Sequence, residues 1–503
     1  MLNLKSRDPM ISGSQLYDYS NCPRLVFLDV HGDISERDEP NAFVQMLRDH
    51  GNAHENAVVA ELQVLDLSEL DDASREQETL AAMRRGVPLI YSGRMTHNGL
   101  AGEPDLLEKR GSGYIPGDIK SGLGLDEFDS GDKPKEHYAF QVAHYVRILE
   151  DMGLSDGTRE TFIIGRDGQR TPYILQEPIG VRNPVTWWDS YQNALQAVTG
   201  LVSGATPSRS ALSATCKLCH WHSKCKRECI DNDDLTLIAE LGRSKRDAMM
   251  GTIPTVSALA ASNPSTFITA NGKKTIFPGI GPDTLAKFHE RAKLLKTPGA
   301  KPYLKQAINL PVAAKEVFFD IEADPMHNIV YLHGFVERPH GQPAGAKFIA
   351  SYAEGLAQSD EEAAFAEAWG YLSARVQDSV VYYYSPYERT SYKKLAYKYP
   401  SVCRVDDVAA LFALPNIIDL YTDVVRKYTE WPTYDQSIKT LAKHLGFNWR
   451  DTHPSGAASI EWFNRWVESR DPAIKQRILD YNEDDCLATG VVVDGVRSLV
   501  MPN

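Results

Sequence analysis

Along the chain, apolar residues fall into a few runs with clear periods. Residues 317–325 read VFFDIEADP, an apolar run carrying two carboxylates one residue apart. Alternation predicts a strand in which Asp320 and Glu322 share one face while Phe319 and Ile321 pack behind them. The later runs IVYLHGFV and SVVYYYS also read as strands, and helical patterns follow them to the C-terminus. That order predicts a mixed α/β domain over residues 298–503, entered through the hinge-like segment KTPGAKP. Earlier, GEPDLLEKRGSGYIPGDIKSG predicts two strands joined by the GSG turn, and EHYAFQVAHYVRIL an amphipathic helix. Residues 1–230 therefore mix helix and strand. Between the two lies a helical middle, residues 231–297, in which FPGIGPDTLAKFHERAKLL places a Gly-rich turn before a helix. Such a turn leaves backbone N–H groups free at a helix start, suited to a phosphate.

Composition narrows the class without naming it. At 503 residues the chain should hold about two to four domains. Hydrophobic content of 43% and charged content of 24% suit a soluble globular protein rather than a disordered or fibrous one. No apolar run is long enough to cross a bilayer, and the opening MLNLKSRDPMISGS lacks the apolar core of a signal peptide, so the expected location is cytoplasmic. A net charge of -13 argues against a protein that coats nucleic acid, but leaves room for a local basic groove. One candidate is the stretch holding Lys273, Lys274, Lys287, Arg291, Lys293, Lys296, Lys301 and Lys305, whose only acids are Asp283 and Glu290. No internal repeat and no GxxxxGK[ST] loop is found, so motor or ATPase activity is not supported.

Two acids on one strand face repel unless water or a cation relieves them. Later acids offer partners: Glu388 in SPYERT, Asp419 in NIIDLY, and Asp485 in ILDYNEDDCLAT, with Tyr481 one helical turn before it. Four such acids can hold two divalent cations about 4 Å apart, the arrangement that activates water and steadies a leaving oxygen in phosphodiester cleavage. The pattern resembles the DEDD exonucleases of the ribonuclease H-like superfamily. Asp320 and Glu322 match their first motif, and Tyr481 and Asp485 match the last motif of the tyrosine subtype. The resemblance implies metal binding by Asp320, Glu322, Glu388 and Asp485, with Tyr481 orienting the attacking water. The middle motif departs from it, because Ser385-Pro-Tyr-Glu388 stands where Asn-x-x-x-Asp is usual. Asp419 is the alternative ligand, and an inert clamp is the bland reading.

The first domain carries a second set. On the hairpin, Asp105 opens one strand, and Asp118 and Lys120 share a face of the other. An acid pair with a lysine beside it is a minimal hydrolytic site, although Asp-x-Lys alone is a weak signal whose bland reading is an edge-strand ion pair. His54 follows Gly51 on a helical stretch, and Gln141 and Tyr145 lie one turn apart. The order His50-x-x-x-His54-Glu55 is not that of a zinc protease. Together, Gly51-x-x-His54, Asp105, Asp118-x-Lys120 and Gln141-x-x-x-Tyr145 resemble the RecB-like branch of PD-(D/E)XK nucleases. The resemblance implies that His54, Asp105 and Asp118 bind Mg²⁺ or Mn²⁺, that Lys120 is catalytic, and that Gln141 and Tyr145 support the site and contact DNA.

Cys216, Cys219, Cys225 and Cys229 crowd together while Cys22 stands alone near the start, which in a cytoplasmic chain suggests metal before disulfide. Spacing alone permits a local zinc site of Cys216, Cys219, Cys225 and Cys229. Cys22 with Cys216, Cys219 and Cys225 is similar to the [4Fe-4S] staple of RecB-like nucleases, which would tie the domain's ends together. Nearly the whole chain resembles RecB-like nucleases with a C-terminal YprB-type ribonuclease H-like domain. The implied architecture is a PD-(D/E)XK core, a helix-hairpin-helix-like middle and a DEDD-type domain. The implied activity is metal-dependent hydrolysis of DNA at free or single-stranded ends, in repair, recombination or defence, with a helicase or recombination protein as a possible partner. A noncatalytic end-binding adaptor and an RNA-directed exonuclease are the alternatives.

Overall fold

A computed structural model of the protein describes residues 10–39, 42–126, 133–180, 184–452 and 454–502. The first nine residues, part of the stretch read above for a signal sequence, lie outside it. The chain divides into two compact units, residues 1–227 and 228–503, each with its own core.

In the first unit, helices α1 (Gly13–Asn21) and α2 (Ala42–Ala60) precede strands β1 (Leu65–Asp66), β2 (Leu89–Tyr91), β3 (Leu106–Arg110) and β4 (Gly113–Ile119). Helix α3 (Glu136–Asp151), β5 (Glu160–Ile164) and β6 (Arg170–Ile174) follow. The six strands form one sheet in the order β6-β5-β4-β3-β2-β1. The predicted hairpin is β3 and β4, antiparallel, turning at Gly111 in the left-handed region, φ 60°. β5 returns parallel to β4 after α3 has crossed the sheet, as a parallel neighbour requires. Alternation divides the sheet's two faces. Leu107 and Tyr114 pack with Val142 and Ile148 of α3, whereas Leu106, Ile115, Ile119 and Phe162 pack with Val58 and Val59 of α2. By that parity Asp118 and Lys120 lie on the face that α3 covers.

The second unit opens with short helices α4 (Gly242–Met249) and α5 (Val256–Ala261), then α6 (Pro282–Lys296). The PGIG turn bends at Gly279, φ 73°, and Gly281 caps α6 with Pro282 in its first turn, where the missing N–H costs nothing. α6 buries Leu285, Phe288 and Ala292, and with them Arg291. Arg291 donates to Glu430 Oε2 at 2.7 Å, Glu240 Oε2 at 2.9 Å and the Ala239 carbonyl at 2.8 Å. Lys287 pairs with Glu240, Lys296 with Asp233 and Lys305 with Glu430. Half of the basic stretch read from the sequence is thus engaged by acids of its own unit, and Lys273, Lys274, Lys293 and Lys301 are the members left exposed without an ion pair among the described residues.

Strands β7 (Lys315–Asp324), β8 (Ile329–Pro339) and β9 (Lys347–Tyr352), helix α7 (Gln358–Arg375), β10 (Ser379–Tyr383), α8 (Tyr387–Lys398) and β11 (Ile417–Asp419) build the mixed domain with α9 (Ile438–His444), α10 (Gly456–Ser469) and α11 (Pro472–Ser498). The sheet order is β9-β8-β7-β10-β11, with β7, β8 and β9 antiparallel and β10 and β11 parallel to β7. Val317, Phe319 and Ile321 turn to the face packed by Phe365 and Leu372 of α7 and by Tyr392 and Leu395 of α8. Phe318 turns to the other, against Ile478, Val492 and Val493 of α11. Asp320 and Glu322 share Phe318's parity and so face α11.

Candidate functional site

The carboxylates of β7 meet those of the last helix. One oxygen each from Asp320, Glu322 and Asp485 lie within 4.8 Å of one another, a grouping able to hold a divalent cation. The approach of α11 depends on Gly334, which pairs with Asp320 across β7 and β8. A Cβ at 334 would lie 1.6 Å from Asn482 Oδ1, so any side chain there would displace the Asn482 amide. With the space open, Asn482 Nδ2 donates to Asp320 Oδ2 at 2.7 Å. Trp449 Nε1 donates to Asp485 Oδ1 at 2.6 Å. The Tyr331 hydroxyl, 2.7 Å from Ser459 Oγ, stands 3.5 Å from Glu322 Oε2.

Burial of so many acids raises their proton affinity. Asp320 is pushed well above the usual carboxylate range by burial first, then by the charges of Asp485, Glu322 and Glu388. Burial and Asp485 push Glu322 up to about 8, against the pull of Lys439, Ser459 and Asn482. Asp485 is raised by burial, while Lys439 and the Trp449 and Tyr481 hydrogen bonds draw it down. A site this costly to ionise in its own company is one that a cation could relieve.

Glu388 and Asp419 stand outside the group of three. Glu388, on the first turn of α8, is buried with Oε2 lacking a hydrogen-bond partner, and burial raises it well above the usual range. Its charge reaches Asp320. Asp419 Oδ1 accepts from Ser385 N at 3.1 Å and Thr422 N at 2.8 Å, so it braces the turn that carries Glu388. Ser385 sits at φ 94°, a left-handed conformation that costs about 1–3 kcal/mol in a residue with a side chain. The strained residue stands at the point where the motif departs from its expected form.

Tyr481 is buried on α11 and hydrogen-bonds Asp485. Lys439, on α9, donates to its hydroxyl at 2.7 Å and to the Pro454 carbonyl at 2.9 Å. Lys439, Trp449 and Asn482 all escaped the sequence reading. Asn482 lay inside the quoted motif, but nothing local distinguishes Lys439 in IKTLAKH from a solvated helix lysine.

In the first unit, Asp118 is buried and ion-paired with Lys120. Asp105 Oδ2 accepts from Ile119 N at 2.6 Å, which stitches the start of β3 to the end of β4. Asp105 is held well above the usual range by burial and then by Asp118, with Lys120 drawing it down and Glu55 adding to the rise. Gln141 Nε2 donates to the Tyr145 hydroxyl at 2.9 Å, and burial, Asp118 and Asp105 together raise the Tyr145 phenol. These five residues therefore share one neighbourhood on the α3 face. His54, on α2, has a buried Nε2 without a hydrogen-bond partner. Its neighbour Glu55 accepts from the Tyr91 hydroxyl at 2.9 Å. Glu55 is an acid of this neighbourhood that the sequence reading passed over, although it stands in the HxxxHE string noted there.

Among the described residues, no group of thiols is drawn as tightly as the acidic triad. Cys219 is nonetheless pushed up to about 11, by burial first, with the Trp221 N–H opposing and with Cys22, Cys225 and Cys216 near enough for their charges to add to the rise. Trp221 N lies 3.4 Å from Cys219 Sγ, and the Trp221 ring is fully buried against Leu28 and Cys225. Cys229 is buried, with its Sγ 3.9 Å from Thr236 Oγ1.

A family model described as the RNase_H superfamily matches residues 317–496, and this C-terminal region belongs to that superfamily. The match spans the sheet, both flanking helix layers and the acidic triad. No curated protein matches the chain.

Proposed function

We propose that the protein is a metal-dependent nuclease that hydrolyses DNA phosphodiester bonds, with free or single-stranded ends as its substrate. The observation that carries this reading is the triad of Asp320, Glu322 and Asp485, three acids from a central strand and the last helix drawn to within 4.8 Å on a sheet of the RNase_H superfamily. Bound there, Mg²⁺ or Mn²⁺ would activate a water and steady the leaving oxygen. Asp320, Glu322 and Asp485 would hold the ions, Glu388 would complete the set, and Asp419 would keep its turn in place. Tyr481, fixed between Lys439 and Asp485, would orient the attacking water for displacement at phosphorus.

The first unit supports a second site of the PD-(D/E)XK kind. Its antiparallel hairpin, crossover helix and parallel strand bring Asp105, Asp118, Lys120, Gln141 and Tyr145 into one neighbourhood, and the unpartnered His54 Nε2 has the chemistry of a ligand. Lys120 would stabilise charge developing on phosphate. Cys22, Cys216, Cys219 and Cys225 are the thiols we assign to a [4Fe-4S] cluster. The charges of Cys22, Cys225 and Cys216 all reach Cys219, which supports one neighbourhood of four thiols, and the Trp221 N–H on Cys219 is the kind of donor that tunes such a sulfur. The helix-hairpin-helix-like middle would meet the backbone through Lys273, Lys274 and Lys293, since Arg291 and Lys287 are occupied.

A second reading, a noncatalytic end-binding adaptor for a helicase or recombinase, is favoured by one observation: Ser385 and Glu388 replace the usual middle motif. Cleavage of end-labelled single- and double-stranded DNA, and of RNA of the same sequence, with Mn²⁺ tests the set. Wild type prepared without oxygen should cut DNA, and Asp320→Ala and Asp118→Ala should each remove one cleavage pattern. DNA held in EDTA with no turnover in Mn²⁺ would replace the nuclease by the adaptor, and preference for RNA would change the substrate.

A further inference from the structure

Buried acids without a bound cation need some local positive charge, and around the triad the described cation is Lys439. It enters from α9, a helix that carries none of the acids. Its Nζ lies 2.7 Å from the Tyr481 hydroxyl, and it sits over the Tyr481 ring at 4.7 Å from the centroid. Since an ammonium can only donate, the phenol oxygen accepts from Lys439 and its proton goes to Asp485. A chain of hydrogen bonds thus runs from Lys439 through Tyr481 to Asp485, whose other contact is the indole N–H of Trp449 at 2.6 Å. The second anchor of Lys439, the Pro454 carbonyl at 2.9 Å, fixes the ammonium from outside the site and leaves it one donor.

We infer that Lys439 is a positioning residue with two linked tasks: it is the resident countercharge of the Asp320, Glu322 and Asp485 triad, and it fixes the Tyr481 hydroxyl beside Asp485. The inference deepens the nuclease reading and rests on it for the second task only. The Lys439 ammonium, 2.7 Å from the hydroxyl of Tyr481, which lies one helical turn before Asp485, is thereby set beside a triad whose three acids lie within 4.8 Å of one another. A cation held at one remove has an unusual consequence, because it lowers the cost of the acids in the empty site and repels the metal that would fill it. Removing it should therefore move metal affinity and turnover in opposite directions. A lysine that merely packs the helix would move them the same way, since a loosened site binds and cuts less well.

The test measures Mn²⁺ affinity by the free-ion electron paramagnetic resonance signal, without substrate, on the full chain as wild type, Lys439→Met, Lys439→Gln and Lys439→Arg. Lys439→Met should bind Mn²⁺ about 3- to 10-fold more tightly than wild type. Its kcat on DNA should fall by roughly 30- to 100-fold with KM within about 3-fold. Lys439→Gln keeps a donor for Tyr481 without the charge, so it should share the tighter Mn²⁺ binding and recover part of kcat. Lys439→Arg should stay near wild type in affinity. Weaker or unchanged Mn²⁺ binding in both Lys439→Met and Lys439→Gln would overturn the inference, whichever of the two folds well enough to measure. Absence of cleavage by wild type, with tighter Mn²⁺ binding in the variants, would sink the nuclease reading and leave the countercharge standing.

Discussion

The two acidic neighbourhoods neutralise their charge differently. In the first unit, Asp118 carries its cation two residues away on the same strand, and Asp105 takes a backbone N–H from Ile119. Each acid is met within the hairpin that bears it. In the second unit, the one cation on the strand of Asp320 and Glu322 is Lys315 at its start, and it pairs with Glu337 instead. Their company arrives from α9, α10 and α11, and most of it is neutral or acidic: Asn482, Ser459, Tyr481 and Asp485. A site satisfied locally holds its shape without metal, whereas one assembled from distant acids stores a repulsion that a bound metal would release.

The largest effect that would sharpen this contrast is in turnover. Asp320→Asn should lower Mn²⁺-dependent cleavage at the second site on the order of a thousandfold, because several kcal/mol of charge stabilisation depend on the metal it helps to hold. Single-turnover cleavage of labelled DNA measures it, with Asp118→Ala as background to silence the first site. Next comes Lys120→Met, which leaves Asp118 buried without its ion partner and should cost about 3–5 kcal/mol of stability in the first unit. Urea unfolding reads that loss, and no loss would mean the pair is not the local neutraliser described here.

Gly334→Ala should cost roughly 1–3 kcal/mol in the second unit by displacing the Asn482 amide from Asp320, again by urea unfolding. It should also weaken Mn²⁺ binding, since Asp320 loses the Asn482 donor that orients it. The smallest effect is in pH dependence. Glu322 ionises near 8 in the folded, metal-free protein and near its ordinary value when unfolded, so the unfolded chain releases its proton first as pH rises. The stabilising contribution is complete below the ordinary glutamate range and is lost as pH rises through about 8. In EDTA, wild type should therefore lose stability relative to Glu322→Gln between pH 5 and 8.5, by roughly 1–3 kcal/mol, and Mn²⁺ should remove the difference. Parallel pH curves in EDTA would contradict the stored repulsion.

The grouping of acids in both candidate sites was partly legible in the chain because strand alternation is strictly local. The period of two put Asp320 with Glu322, and Asp118 with Lys120, on one face before any fold was known, and the four-residue spacing put Tyr481 over Asp485. Other features had no local signature. Glu388 keeps a helix start in the expected place, yet nothing in SPYERT shows that Ser385 adopts φ 94° or that Asp419 braces it. The basic middle was read as a phosphate surface from its Gly-rich turn and its run of charge. Partners distant in sequence decided otherwise for Arg291, which Glu430 and Glu240 hold in the interior.

The division follows from range. Periodicity, turn chemistry and motif spacing act over a few residues, so the amino-acid order alone determined the strands, the helices, the faces their acids occupy and the candidates for metal binding. Which acids meet, and which cation meets them, depends on helices that return to the sheet after a hundred residues or more. Only the tertiary structure brought Asp485 to Asp320 through the gap left at Gly334, and only it set Lys439 against Tyr481.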